Sequence, residues 1–172
     1  MRLILIVLIG LFLVSCAAYN FKKGVEAANN VSYATAAEHY KKACKGGIIK
    51  ACYNLAVLYL KGNGVNQDYV KAADLFEKTC NEDIARGCFN LGVIYANGNG
   101  VNQDDSKAVE FYRKACRGND AKGCFLLGGC YWMGVGVKLN KRLASEYFGK
   151  ACDLRLDEGC NAYELVEYLL LQ

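Results

Sequence analysis

Apolar and small side chains along this chain recur at helical spacing in short blocks. Ala72, Leu75, Phe76 and Thr79 form one block, and Leu91, Ile94 and Tyr95 belong to the next. Extended along the chain, the pattern predicts helices near residues 32–45, 49–61, 68–81, 85–97, 104–117, 121–133, 140–153 and 157–171, an all-α protein. The polar breaks alternate between two kinds. One is "GNGVNQD" at 62–68, which returns at 98–104 and, more loosely, as "GVGVKLN" at 134–140. Its glycines suit a helix end. Ser32, Asp68, Asp104 and Asn140 share one register and are expected to cap the helices that follow. The other kind of break is polar and lies between two cysteines, as in "NEDIARG" at 81–87.

Those cysteines repeat in step. Cys44 and Cys52, Cys80 and Cys88, Cys116 and Cys124, and Cys152 and Cys160 are each eight residues apart, and successive pairs start 36 residues apart. On one continuous helix, eight residues would rise about 12 Å, whereas bridged Cα atoms lie about 4.4–6.8 Å apart. The chain must therefore turn within each pair, so that a bridge staples two antiparallel helices. Eight cysteines allow about 105 pairings. Local pairing needs the shortest loop closure and serves all four sites alike, so Cys44–Cys52, Cys80–Cys88, Cys116–Cys124 and Cys152–Cys160 are expected. The result is a solenoid of four disulfide-stapled helical hairpins, with units about 32–67, 68–103, 104–139 and 140–172. Such a chain has few long-range contacts, and local cross-links substitute for a large core.

The N-terminus carries a different signal. Arg2 precedes the apolar run "LILIVLIGLFLV", which is too short to span a bilayer. The junction "LVSC" at 13–16 resembles a bacterial lipoprotein signal, implying a leader over 1–15, acylation of Cys16 and a linker over 16–31 before the repeat domain at 32–172. An uncleaved anchor and a plain signal peptide are the alternatives. All three place the repeats outside the cytoplasm, in the periplasm, on the outer membrane or secreted, where disulfides persist. The chain is 53% hydrophobic and 22% charged, which excludes a disordered protein, and its net charge of +4 is spread along the repeats, which argues against nucleic acid. No cofactor or metal is expected, because the cysteine spacing is wrong and His39 is the single histidine. His39 aligns with Leu75, Phe111 and Tyr147 and is read as a core-facing ring. Cys130, outside the four pairs, aligns with Leu58 and Ile94 and is read as a buried thiol.

"NLGVIYANGNGVNQDDSKAVEFYRKAC", Asn90 to Cys116, resembles the Sel-one-like repeat, a relative of the tetratricopeptide repeat. The cysteine pair marks a resemblance to the branch called Helicobacter cysteine-rich proteins. The resemblance covers about residues 26–172 and implies an exported α/α superhelix with a concave face. It also implies which helices line that face, those carrying Leu91, Gly92 and Tyr95 and their echo Leu127, Gly128 and Tyr131. The groove positions then fall on Lys50, Arg86 and Lys122, on Tyr53, Phe89 and Phe125, and on Asn54 and Asn90, with Leu126 departing from asparagine. A ladder of cations, rings and amides suits an extended, acidic peptide; the same aromatics would serve equally as packing between units. Trp132 and Met133 share that helix face. In the last unit, Glu164 and Glu167 replace the small residue and the tyrosine of the repeat and are expected to form a solvated cap.

Members of the cysteine-rich branch are described as penicillin-binding proteins or β-lactamases, so the resemblance implies a β-lactam hydrolase as an alternative. No residue pattern supports it: none of the four serine contexts is Ser-x-x-Lys. Two other readings remain, a scaffold that binds a peptide or envelope protein in its groove and a factor that interacts with a host.

Overall fold

The computed structural model describes residues 2–171, with side chains from Ser15 onward, so all of the expected leader over 1–15 except Ser15 lies outside the described side chains. Among the described residues there are nine helices and no strand: α1 (Arg2–Asn29), α2 (Tyr33–Lys45), α3 (Ile49–Lys61), α4 (Tyr69–Asn81), α5 (Ala85–Asn97), α6 (Asp105–Arg117), α7 (Ala121–Met133), α8 (Lys141–Asp153) and α9 (Asp157–Leu170). From α2 onward the helices fall where the apolar period places them. The protein is an all-α solenoid of helical hairpins.

The segment 16–31 departs from expectation. It is no linker: the helix continues to Asn29, and Phe21, Val25 and Ala28 pack on the core formed by α2 and α3. The apolar leader runs into these residues without a break, which hides where packing against α2 begins. Buried Asn20 holds the ring of His39, with Oδ1 3.0 Å from Nδ1. His39 is thus half-buried, like Leu75, Phe111 and Tyr147 in its register, and is hydrogen-bonded between α1 and α2.

Two compact units divide the chain, Met1–Thr79 and Cys80–Gln172. In the first, Ala36, Tyr40, Leu55 and Leu58 lie at the centre, and the fully buried Phe76 leans on Tyr53 with ring centroids 5.8 Å apart. In the second, α5 to α9 enclose Leu91, Ile94, Val109, Leu127 and Phe148.

One packing device recurs in both units. A Cβ on Gly24 would lie 2.6 Å from the Tyr40 ring, one on Gly92 2.7 Å from Tyr112, and one on Gly128 2.8 Å from Phe148. Each glycine lets an aromatic ring of the next helix lie against backbone, at a distance no side chain would permit. Gly24 performs this role in α1, which makes α1 the first helix of a repeat.

All four bridges form within their own hairpins, with Cα–Cα distances of 4.7, 4.6, 4.5 and 4.4 Å in chain order. Each enclosed turn has one left-handed residue, Gly47, Asp83, Asn119 or Arg155. The backbone then reaches back across the turn, as where Asp120 N donates to Ala115 O at 3.0 Å. The other connections start from left-handed glycines Gly62, Gly98 and Gly134. They end on caps: Asp68, Asp104 and Asn140 accept from Lys71 N, Lys107 N and Leu143 N at 2.9, 2.9 and 3.0 Å. Ser32 differs, since its side chain makes no capping bond. Asp120, which the register did not suggest, caps α7 by accepting from Gly123 N at 2.8 Å.

Candidate partner-binding site

The residues expected to line a groove lie on α3, α5 and α7. Lys50, Tyr53 and Asn54 are on α3, Arg86, Phe89 and Asn90 on α5, and Lys122 and Phe125 on α7. Spacings of three and four place each set on one helix face. The cations are exposed, while the rings and amides are half-buried.

Several of these side chains also have structural partners. In the first unit, burial pushes the Tyr40 hydroxyl up, and neighbouring Asn54 partly offsets that effect. In the second, Asn90 Nδ2 donates to Arg86 O at 2.9 Å. Phe89 leans on Tyr112 and Phe125 on Phe148, with centroids 6.4 and 5.5 Å apart. The rings therefore contribute one face to packing and leave an edge exposed.

In the second unit that edge forms a cleft. Phe89, Phe125, Leu126 and Leu156 line a cavity of about 200 Å³, joined by Lys122 and Glu158. Three of the expected groove residues thus come together, and Leu126, where the repeat departs from asparagine, supplies apolar surface. Leu156 and Glu158 were not anticipated. Glu158 was detectable, since it occupies the register of Lys50, Arg86 and Lys122 one repeat further on. Larger depressions of about 570 and 720 Å³ lie elsewhere in this unit. The first is bordered by Asp83, Lys114 and Arg117, and the second by Arg142, Glu146 and Lys150; both are lined as much by polar as by apolar surface, whereas the cleft is mostly apolar.

The repeat tyrosines have a packing role. Tyr95 stacks on Phe111 and Tyr131 on Tyr147, with centroids 5.5 and 5.6 Å apart, and Arg113 Nη2 donates to the Tyr131 hydroxyl at 2.9 Å. Trp132 is half-buried beneath Lys141 Nζ, 5.3 Å from the ring centroid, whereas Met133 is 65% exposed.

The cap also differs from expectation. Glu164 is exposed, but Glu167 is half-buried and accepts a hydrogen bond from the Ser145 hydroxyl. Ser145 stands in the register of Ala37, Ala73 and Val109, so hydroxyl and carboxylate satisfy each other where earlier repeats use apolar contact. Among the described residues, no cluster of His, Cys, Asp and Glu is arranged to hold a metal ion.

Cys130 is unpaired and half-buried. Burial, aided by the charge of Asp105, pushes its thiol up to about 11, and Tyr112 is pushed up to about 12 by burial and then by Cys130 and Asp105. Both groups are held neutral when folded but ionise earlier when unfolded. Their contribution to stability is therefore complete below about pH 9 and is lost as pH rises through 11 to 12. In the unacylated chain, iodoacetamide at pH 8 should label exposed Cys16 and spare Cys130 until denaturant is added. Peptide mass spectrometry reads the outcome, and equal labelling of both in the folded chain would contradict this burial.

Comparison with known proteins agrees with this architecture. The Sel1 repeat family matches residues 17–48, 49–83, 85–120 and 121–156. These frames are offset by one helix from 32–67 and its successors, and the first starts in α1. Among solved structures, a protective antigen present in uropathogenic Escherichia coli strains matches with TM-score 0.80 and 29% identity, over 83% of this chain and 32% of that one. A Sel1 repeat protein from Oxalobacter formigenes matches with TM-score 0.77 and 24% identity, over 83% of this chain and 60% of that one. The chain thus spans about a third of the antigen and under two thirds of the Oxalobacter protein. Helicobacter pylori cysteine-rich protein B is 35% identical, with TM-score 0.59, over 73% of this chain and 95% of that one. No curated protein matches the chain. With four matched repeats and a bridge across every hairpin turn, the chain belongs to the Sel1 repeat proteins and is allied with their Helicobacter cysteine-rich branch.

Proposed function

We propose that the chain is an exported scaffold whose α5–α7–α9 face binds a peptide or protein partner through an apolar side chain. The observation that carries this reading is the cleft formed by Phe89, Phe125, Leu126 and Leu156. It is too small for most cofactors but suits one leucine or aromatic side chain, the kind of anchor that dominates peptide recognition. Sel1 repeats are typical of protein–protein interaction, which supports the same reading.

Export is part of the proposal. Four disulfides indicate an extracellular or periplasmic protein. Cleavage before Cys16 would keep Ala17, which is 3% exposed and packs against Gly46 beside the first staple. An acylated Cys16 would then tether the repeats to a membrane. Among the described residues, no helix is long and apolar enough to cross one.

The test is substitution of the cleft without disturbing the fold. Asn occupies the Leu126 register at Asn54 and Asn90, so Leu126→Asn is compatible with the repeat. Peptides selected from a displayed random library on the oxidised chain should bind Leu126→Asn roughly tenfold more weakly, for loss of part of a buried leucine contact. The melting temperature should stay unchanged. Binding that is indifferent to Leu126→Asn would remove the cleft from the account.

A further inference from the structure

We infer that the cleft takes a partner segment with an acidic and a basic residue on opposite sides of one apolar residue, the acid toward α5 and α7 and the base toward α9. The inference rests on the reading of this face as a peptide site. The two ionic groups lining the cleft are Lys122 on α7 and Glu158 on α9, and these helices are in contact. They stand one repeat apart in the same register, so they present opposite charges at the same height on adjacent helices. Among the described residues they form no ion pair with each other. Arg86, exposed on α5, adds a second cation in that register ahead of Lys122. The sign along the face is thus positive, positive, negative, with Phe125, Leu126 and Leu156 supplying the apolar surface at the change.

A peptide crossing this face meets the charges in a fixed order. Packed helix axes lie roughly 8–10 Å apart, and an extended strand rises about 3.3 Å per residue. About three residues therefore separate the group that meets Lys122 from the group that meets Glu158. An acidic residue at i, an apolar residue at i+1 or i+2 and a cation at i+3 satisfy all three contacts at once. A segment with the same charge on both sides of the apolar residue opposes a like charge at one end, whichever direction the chain runs. Charges at the rim of an interface contribute modestly to affinity but set orientation and exclude wrong partners.

The experiment uses the oxidised full chain and a displayed library of heptapeptides with a central leucine and random flanks. Enrichment of one acid and one base on opposite sides of the leucine is the expected result. Two synthetic peptides then quantify the pairing, Gly-Glu-Ser-Leu-Lys-Ser-Gly and Gly-Glu-Ser-Leu-Glu-Ser-Gly, with roughly tenfold tighter binding of the first by fluorescence polarisation. Glu158→Lys should abolish the preference for a base beside the leucine while keeping the preference for leucine. Enriched leucine peptides without an acid and a base on opposite sides, or a pairing that Glu158→Lys leaves intact, would overturn the inference and spare the binding site. A library with no enrichment for the leucine would overturn both.

Discussion

Full reduction of the four disulfides is expected to unfold the chain at room temperature. Each bridge closes a loop of sequence separation 8, for which the chain-entropy relation gives about 2.5 kcal/mol. Four additive bridges amount to on the order of 10 kcal/mol, within the whole stability range of a typical domain. The bridges also sit where the fold has little else. Every hairpin turn contains a left-handed residue, and three of the four are not glycine, so their conformation is held against a local preference. Removing one bridge by Cys116→Ala with Cys124→Ala should cost about 2.5 kcal/mol by the same relation. The melting temperature of a chain this size would fall by roughly 5–10 °C. Circular dichroism melts with and without reductant measure both effects. Native helicity in the fully reduced chain at 25 °C would show that packing alone suffices.

The other large effect is expected at the aromatic seat between α7 and α8. Phe148→Ala should destabilise by about 3–5 kcal/mol, because the ring is only 5% exposed and lies against Phe125 and the backbone at Gly128. Gly128→Leu should also destabilise, by about 1–3 kcal/mol or somewhat more, since even its Cβ would lie 2.8 Å from the ring. Combined, the two substitutions should cost less than their sum, because the leucine occupies volume that the ring vacates. That coupling separates a shared seat from two independent lesions. Urea denaturation of the four proteins in the cycle gives the coupling directly, and strict additivity would show that the glycine is not there for the ring. In the first unit Ala56 stands in the same register as Gly92 and Gly128, so the seat tolerates one methyl where the neighbouring geometry allows it.

Much of this architecture was legible because the repeat states each signal several times. The cysteine spacing forced a turn, and the caps Asp68, Asp104 and Asn140 marked helix starts that the structure places within a residue. Ser32 shared their register without their bond, so register identifies a position and not the contact made there. The second half of α1 was hidden because the apolar leader masks the helical period that carries Gly24 and Phe21 onto Tyr40. The cleft was half legible. Phe89, Lys122 and Phe125 followed from the repeat, but Leu156 lies in the last stapled turn, and its approach depends on how α9 packs. Glu167 also escaped the reading as solvated surface, because its partner Ser145 is 22 residues away on another helix.

The claim beneath all of this is that sulfur closes each hairpin on itself and so holds the face proposed to bind a partner. Non-reduced peptide mapping, on the chain recovered from the cells that naturally make it, tests that claim most directly. The account predicts Cys44–Cys52, Cys80–Cys88, Cys116–Cys124 and Cys152–Cys160 as the linked peptides, with Cys16 and Cys130 outside any bridge. Free thiols at the paired positions, or peptides linked between different hairpins, would contradict it.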